Sequence, residues 1–187
     1  MSIDNNRMGE AIDVIKHNIT KAAKKSGRKA DHVMILGVTK TVDYDIMEKA
    51  YDLGITNFGE NKVQEYLRKS DIIKRECNWH LIGRLQTNKV KYLDQRVVLI
   101  HSLDRIELAE ALQARGEKID YVFPVLAQVN VSGETSKAGI DPEKVKNFLL
   151  SVSKMGNIKV KGLMTIAPYT DEPEEVRHVF RKLKKIS

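Results

Sequence analysis

The chain has 187 residues, 42% hydrophobic and 30% charged, which suits one soluble domain with a substantial core. No apolar run approaches the ~20 residues a bilayer span needs, the polar residues 1–7 lack a signal-peptide core, and a single cysteine, Cys77, rules out an internal disulfide framework and argues against a zinc site; a cytoplasmic protein in a reducing compartment is expected. The 32 Lys and Arg against 25 Asp and Glu give +7, yet cations such as Lys16, Lys49, Lys69 and Lys144 recur at helical intervals as on solvated faces, and no nucleic-acid-binding motif appears, so no nucleic-acid partner is expected.

Met8, Ala11, Ile12, Ile15, Ile19 and Ala22 recur at helical spacing and predict an amphipathic helix over residues 5–26, stopped by Gly27. Short apolar runs then alternate with helical patterns. Residues 33–38 precede a helix near 43–53, and 55–58 precede one near 61–75. Residues 79–82 lead to a short helix near 86–93. Residues 97–100 lead to a helix over 105–115, where Asp104 and Glu107 have capping-box spacing. Residues 122–131 lead to a helix opened by Asp141 and Pro142 and closed near Gly156, and 159–166 lead to a last helix from about Glu172.

Strands rich in Val, Ile and Leu, each followed by a helix, require buried parallel pairing under right-handed crossovers, so the class is α/β. An open doubly wound sheet and a TIM-type (β/α)8 barrel compete. No Gly-x-Gly-x-x-Gly follows the first strand, which favours the barrel. The reading is one barrel domain over residues 1–187, with six βα units and an extra N-terminal helix. A full barrel needs eight units. Because the chain ends inside a helical pattern (Val176, Val179, Phe180, Leu183) and six strands leave two raw edges, two further units are expected beyond Ser187.

In such a barrel the chemistry lies at the C-terminal ends of the strands. The residues there are Thr39 to Thr41, Gly59 to Asn61, His80 with Gly83 and Arg84, Gln128 and Asn130, and Met164 with Thr165. Lys40 stands out. A lysine at the inner mouth of a barrel sheds water, which favours the neutral amine that attacks an aldehyde, although a lysine at a strand end is also commonly a solvated charge. Asn61 also reads, with Glu60, as an N-cap of the next helix, His80 as a hydrogen-bonded core histidine, and Met164 as interior filler. The polar stretch 131–139 is either a surface loop or a cover over the pocket, with Lys137 reaching toward a phosphate or a second aldehyde.

The strings Val38-Thr39-Lys40, Phe58-Gly59-Glu60-Asn61-Lys62-Val63-Gln64-Glu65, Trp79-His80-Leu81-Ile82-Gly83-Arg84-Leu85-Gln86-Thr87-Asn88-Lys89, Gln128-Val129-Asn130 and Gly162-Leu163-Met164 closely resemble the pyridoxal phosphate homeostasis protein family, in order and over nearly the whole chain. The resemblance implies a barrel similar to the N-terminal domain of alanine racemase, with Lys40 carrying pyridoxal 5′-phosphate as an aldimine and Asn61 beside it. It also implies that Val38, His80, Asn130 and Met164 form walls around the ring. Family members continue through a Gly-Met-Ser and an Arg-Ile-Gly-Thr stretch that supply phosphate contacts, and neither stretch is present here. Two functions follow: a carrier that stores the cofactor and hands it to apo-enzymes as a monomer or weak dimer, or a racemase. Racemisation needs a base on each face of the carbanion. Of the six tyrosines only Tyr169 falls near a strand exit, so the carrier reading is preferred.

Overall fold

The computed structural model describes residues 5–133 and 138–187. One parallel sheet of six strands organises it: β1 (Gly37–Val38), β2 (Asn57–Glu60), β3 (Asn78–Leu81), β4 (Val97–Leu103), β5 (Phe123–Gln128) and β6 (Ile158–Met164), in that order across the sheet. A doubly wound sheet reverses its strand order at a switch point. This one never does. Strictly sequential parallel order is the topology of a barrel wall, and all the strands therefore end on one rim.

The helices are α1 (Asn5–Lys25), α2 (Tyr44–Asp52), α3 (Val63–Ile72), α4 (Ile106–Ile119), α5 (Val145–Val152) and α6 (Arg177–Ile186). α1 ends as Gly27 predicts. That glycine has φ +66°, and the amides of Gly27 and Arg28 return to the carbonyls of Lys24 and Ala23, the pairing of a Schellman motif. The apolar stripe of α1 is only partly used: Ile12 and Ala23 are buried, while Ile15 stays 45% exposed. The start of α5 also follows its sequence. Asp141 Oδ1 accepts the Glu143 amide at 2.9 Å, and Pro142 opens a 3-10 turn that continues into the helix. α5 stops at Val152, short of Gly156.

Other expectations need correction. The helix expected near 86–93 is a 3-10 segment, Thr87–Tyr92. The capping box at Asp104 and Glu107 does not form, because Arg105 is the N-cap residue and makes no side-chain cap. Asp104 is instead held by Arg84 at 3.3 Å and Arg105 at 2.5 Å. Two guanidiniums outcompete a single backbone amide for that carboxylate.

The core lies between the outer face of the sheet and its helices. Phe58 and Trp79 from adjacent strands meet Tyr66 of α3 there, with Tyr66 edge-on to Trp79 at 5.8 Å. Further along the sheet, Phe123 and Val125 of β5 pack with Leu108 and Leu112 of α4, all fully buried. A smaller cluster joins Ala127, Val129, Val145 and Val179 under α5 and α6. Side chains alternate along a strand, so the neighbours of these core residues point to the barrel interior.

Candidate functional site

Alternation sets the site. With Phe58, Trp79, Leu81, Val125 and Ala127 facing the helices, the intervening Asn61, Ile82 and Gln128 face the interior at the strand ends. There they line a cavity of about 520 Å³ together with Val38, Lys40, Asn130 and Met164. This volume falls in the range of ~300–1,000 Å³ usual for small-molecule sites. Its walls are apolar at Val38, Ile82, Met164 and Ile166 and polar at Asn61, Arg84, Gln128 and Thr165. Among the described residues no carboxylate lines it, so Lys40 and Arg84 give the cavity a positive field.

Five of the seven residues singled out from sequence come together here: Val38, Lys40, Asn61, Asn130 and Met164. Lys137 lies outside the described residues. His80 does not line the cavity. It is buried on β3, with Nδ1 2.9 Å from His101 Nε2 and Nε2 3.3 Å from Asn57 Oδ1. Two residues before Ile82 on the same face, it occupies the next interior layer below. Burial, with a smaller contribution from His101, pushes its pKa down to about 4, and burial lowers that of His101. Both rings are therefore neutral near pH 7.

Lys40 differs from expectation in exposure. Its side chain is exposed at the cavity mouth rather than stripped of water. Asn61 does not cap α3, whose N-cap residue is Lys62 without a side-chain cap bond. Its backbone instead presses on Gly83, where a Cβ would lie 2.4 Å from the Asn61 carbonyl oxygen. Asn130 is fixed by its own loop, its Oδ1 accepting the Gly133 amide at 3.1 Å. Gly139, with φ +137°, brings the returning segment against the backbone of Asn130.

Sequence reasoning misread one neighbour of the site and gave another no role. Lys69 is not on a solvated face: it is fully buried beneath the Lys40 turn and ion-paired to buried Glu60 at 2.6 Å. A lysine at helical spacing carries no local signal of burial, because its partners come from 9 and 30 residues away. Arg84 was visible at a strand end but had no assigned role. The buried side chain of Asp104 holds its Nε at 3.3 Å, while two thirds of the Arg84 side chain stays open to solvent.

A family model for the alanine racemase N-terminal domain matches residues 11–187. A protein of Aquifex aeolicus described as pyridoxal phosphate homeostasis protein is 46% identical over 178 residues, covering 95% of this chain and 78% of its own. A crystal structure of an unknown protein from Bifidobacterium adolescentis superposes with a TM-score of 0.90 at 31% identity, over 99% of this chain and 80% of that one. PipY of Synechococcus elongatus, solved with pyridoxal phosphate bound, superposes with a TM-score of 0.74 at 29% identity, over 82% of this chain and 72% of its own. The six βα units are thus a barrel wall of the type found in the N-terminal domain of alanine racemase.

Proposed function

Because the chain belongs to the pyridoxal phosphate homeostasis protein family, we propose that it binds pyridoxal 5′-phosphate covalently through Lys40 and serves homeostasis of that cofactor without dedicated turnover. The observation that carries this reading is the Lys40 amine at the mouth of a strand-end cavity whose described lining holds cations and amides but no carboxylate. The cofactor, when bound, supplies an aldehyde carbon that a primary amine attacks and a phosphate that cations attract. The donor set fits it. Lys40 is the one primary amine among the described lining residues, and Arg84 offers a guanidinium suited to phosphate. Gln128 and Asn130 add amides, and Val38, Ile82 and Met164 add apolar surface for a planar ring.

The same cavity supports a carrier over a racemase. Racemisation needs a second acid–base group across the plane of the reacting carbon, and among the described residues no Tyr, His, Cys, Asp or Glu lines the cavity. Tyr169, the tyrosine nearest a strand exit, is 92% exposed, and its hydroxyl donates to Asp171 at 3.0 Å. The recipients would be apo forms of pyridoxal-phosphate enzymes in the cytoplasm, with this chain acting as a monomer or weak dimer.

Incubation with pyridoxal phosphate, borohydride reduction and peptide mass spectrometry is expected to place the adduct on Lys40. Lys40→Ala should lose both the adduct and the visible absorbance. An equal yield in that variant on another lysine overturns the assignment. L-Alanine and D-alanine should keep their enantiomeric purity on prolonged incubation with the loaded protein, and measurable inversion would make it an enzyme.

A further inference from the structure

Lys40 projects from a turn with an unfavourable backbone. The Val42 amide donates to the Thr39 carbonyl at 3.0 Å, closing four residues with Lys40 second and Thr41 third. Thr41 has φ +62°. A type II turn demands that sign at its third position, where glycine ordinarily sits, and a β-branched residue there is a genuine outlier. Such a conformation persists only where its surroundings over-determine it.

The surroundings are on the other face of the sheet. Thr39 and Glu60 alternate with the cavity-lining Val38, Lys40 and Asn61, so they face α3, and there they meet Lys69. Lys69 Nζ donates to the Thr39 carbonyl at 2.6 Å and to Glu60 Oε1 at 2.6 Å, and Thr39 Oγ1 donates to the same carboxylate oxygen at 2.7 Å. Thr39, Glu60 and Lys69 are all buried, the two charged residues completely. Among the described residues both side-chain bonds of Lys69 thus converge on the residue before Lys40 or on the carboxylate that holds it there.

Stability alone does not account for the pair. A buried ion pair is commonly no more stabilising than apolar residues of similar volume, and Glu60 Oε2 has no hydrogen-bond partner among the described residues. We propose that Lys69 and Glu60 are positioning residues for Lys40: the ammonium clamps the Thr39 carbonyl, the carboxylate holds the ammonium in place, and the strained turn thereby presents the Lys40 amine to the cavity. This rests on Lys40 being the cofactor-binding amine.

The test compares the wild-type chain, Lys40→Ala, the apolar pair Glu60→Leu/Lys69→Met, and that pair with Thr41→Gly added. The apolar pair should melt cooperatively near the wild-type temperature, yet take up pyridoxal phosphate at Lys40 about tenfold or more slowly, as a displaced reacting group would. Thr41→Gly should restore most of that rate, since glycine holds a positive φ without a clamp; a merely structural pair would gain nothing from it. A folded apolar pair reacting at the wild-type rate overturns the proposal, and so does a slow pair that Thr41→Gly fails to rescue. If the wild-type chain forms no adduct that Lys40→Ala removes, the cofactor reading itself fails. If the apolar pair does not fold, hydrogen exchange of the wild-type chain decides: the Val42 amide should exchange about tenfold or more slowly than in an unstructured peptide, and exchange at the peptide rate overturns the clamp.

Discussion

Gly83 is the residue at which two backbones meet. A Cβ there would stand 2.4 Å from the Asn61 carbonyl oxygen and 2.8 Å from its Cα, and backbone cannot swing aside as a side chain can. Gly83→Ala must therefore push the Asn61 segment away from the strand-end rim. It should cost about 1–3 kcal/mol, as overpacking does, and slow cofactor uptake at Lys40; an unchanged urea midpoint with unchanged uptake would refute this. Residues of this kind divide by how far their cause lies in the chain. The placement of Lys40, Asn61, Asn130 and Met164 was legible because each lies within a few residues of the C-terminal end of an apolar run, so position relative to the run fixes the rim. Lys69 was not legible. Its spacing matches that of Lys62 and other solvated lysines, and only the distant Thr39 carbonyl and Glu60 carboxylate draw it inside.

At the scale of elements the same contrast separates two helix starts. Asp141 acts on the amide two residues ahead, a contact decided within its own segment, and the sequence signal there holds. Asp104 has capping-box spacing to Glu107, but Arg84 arrives from the end of β3 and takes its carboxylate. The two aspartates therefore predict opposite outcomes. Asp141→Ala should lower stability by about 1 kcal/mol through loss of the cap. Glu107→Ala, at an exposed position whose capping box does not form, should leave stability within about 0.5 kcal/mol. Chemical denaturation of the two variants separates the cases, and a large loss in Glu107→Ala would mean that the carboxylate has a role the geometry does not contain. Periodicity likewise found the segment 87–92 but not its 3-10 winding, because six residues are too few for the pattern to distinguish three residues per turn from 3.6.

For the whole molecule, sequential strand order places every strand end on one rim and leaves the lower interior to be filled by side chains, and part of that filling is polar. His80 and His101 bridge β3 and β4 at 2.9 Å, and His80 also contacts Asn57 at the start of β2. One ring-to-ring bond requires one donor and one acceptor, which two neutral imidazoles supply and two imidazolium ions do not. This makes folding depend on pH. In the unfolded chain His80 takes up its proton below its ordinary value of 6.5, whereas in the folded chain it does so only near 4. Between those values the unfolded state binds more protons, so stability falls as the pH drops from about 6.5 to about 4 and this contribution changes no further below that. The loss from His80 is on the order of 3 kcal/mol, and His101, shifted in the same direction, adds to it. Urea midpoints measured from pH 7.5 to pH 4.5 should decline more steeply for the wild-type chain than for His80→Gln, whose amide does not titrate. Carboxylate protonation is common to both proteins and cancels in the difference. Parallel profiles would mean that the histidine pair does not couple to folding.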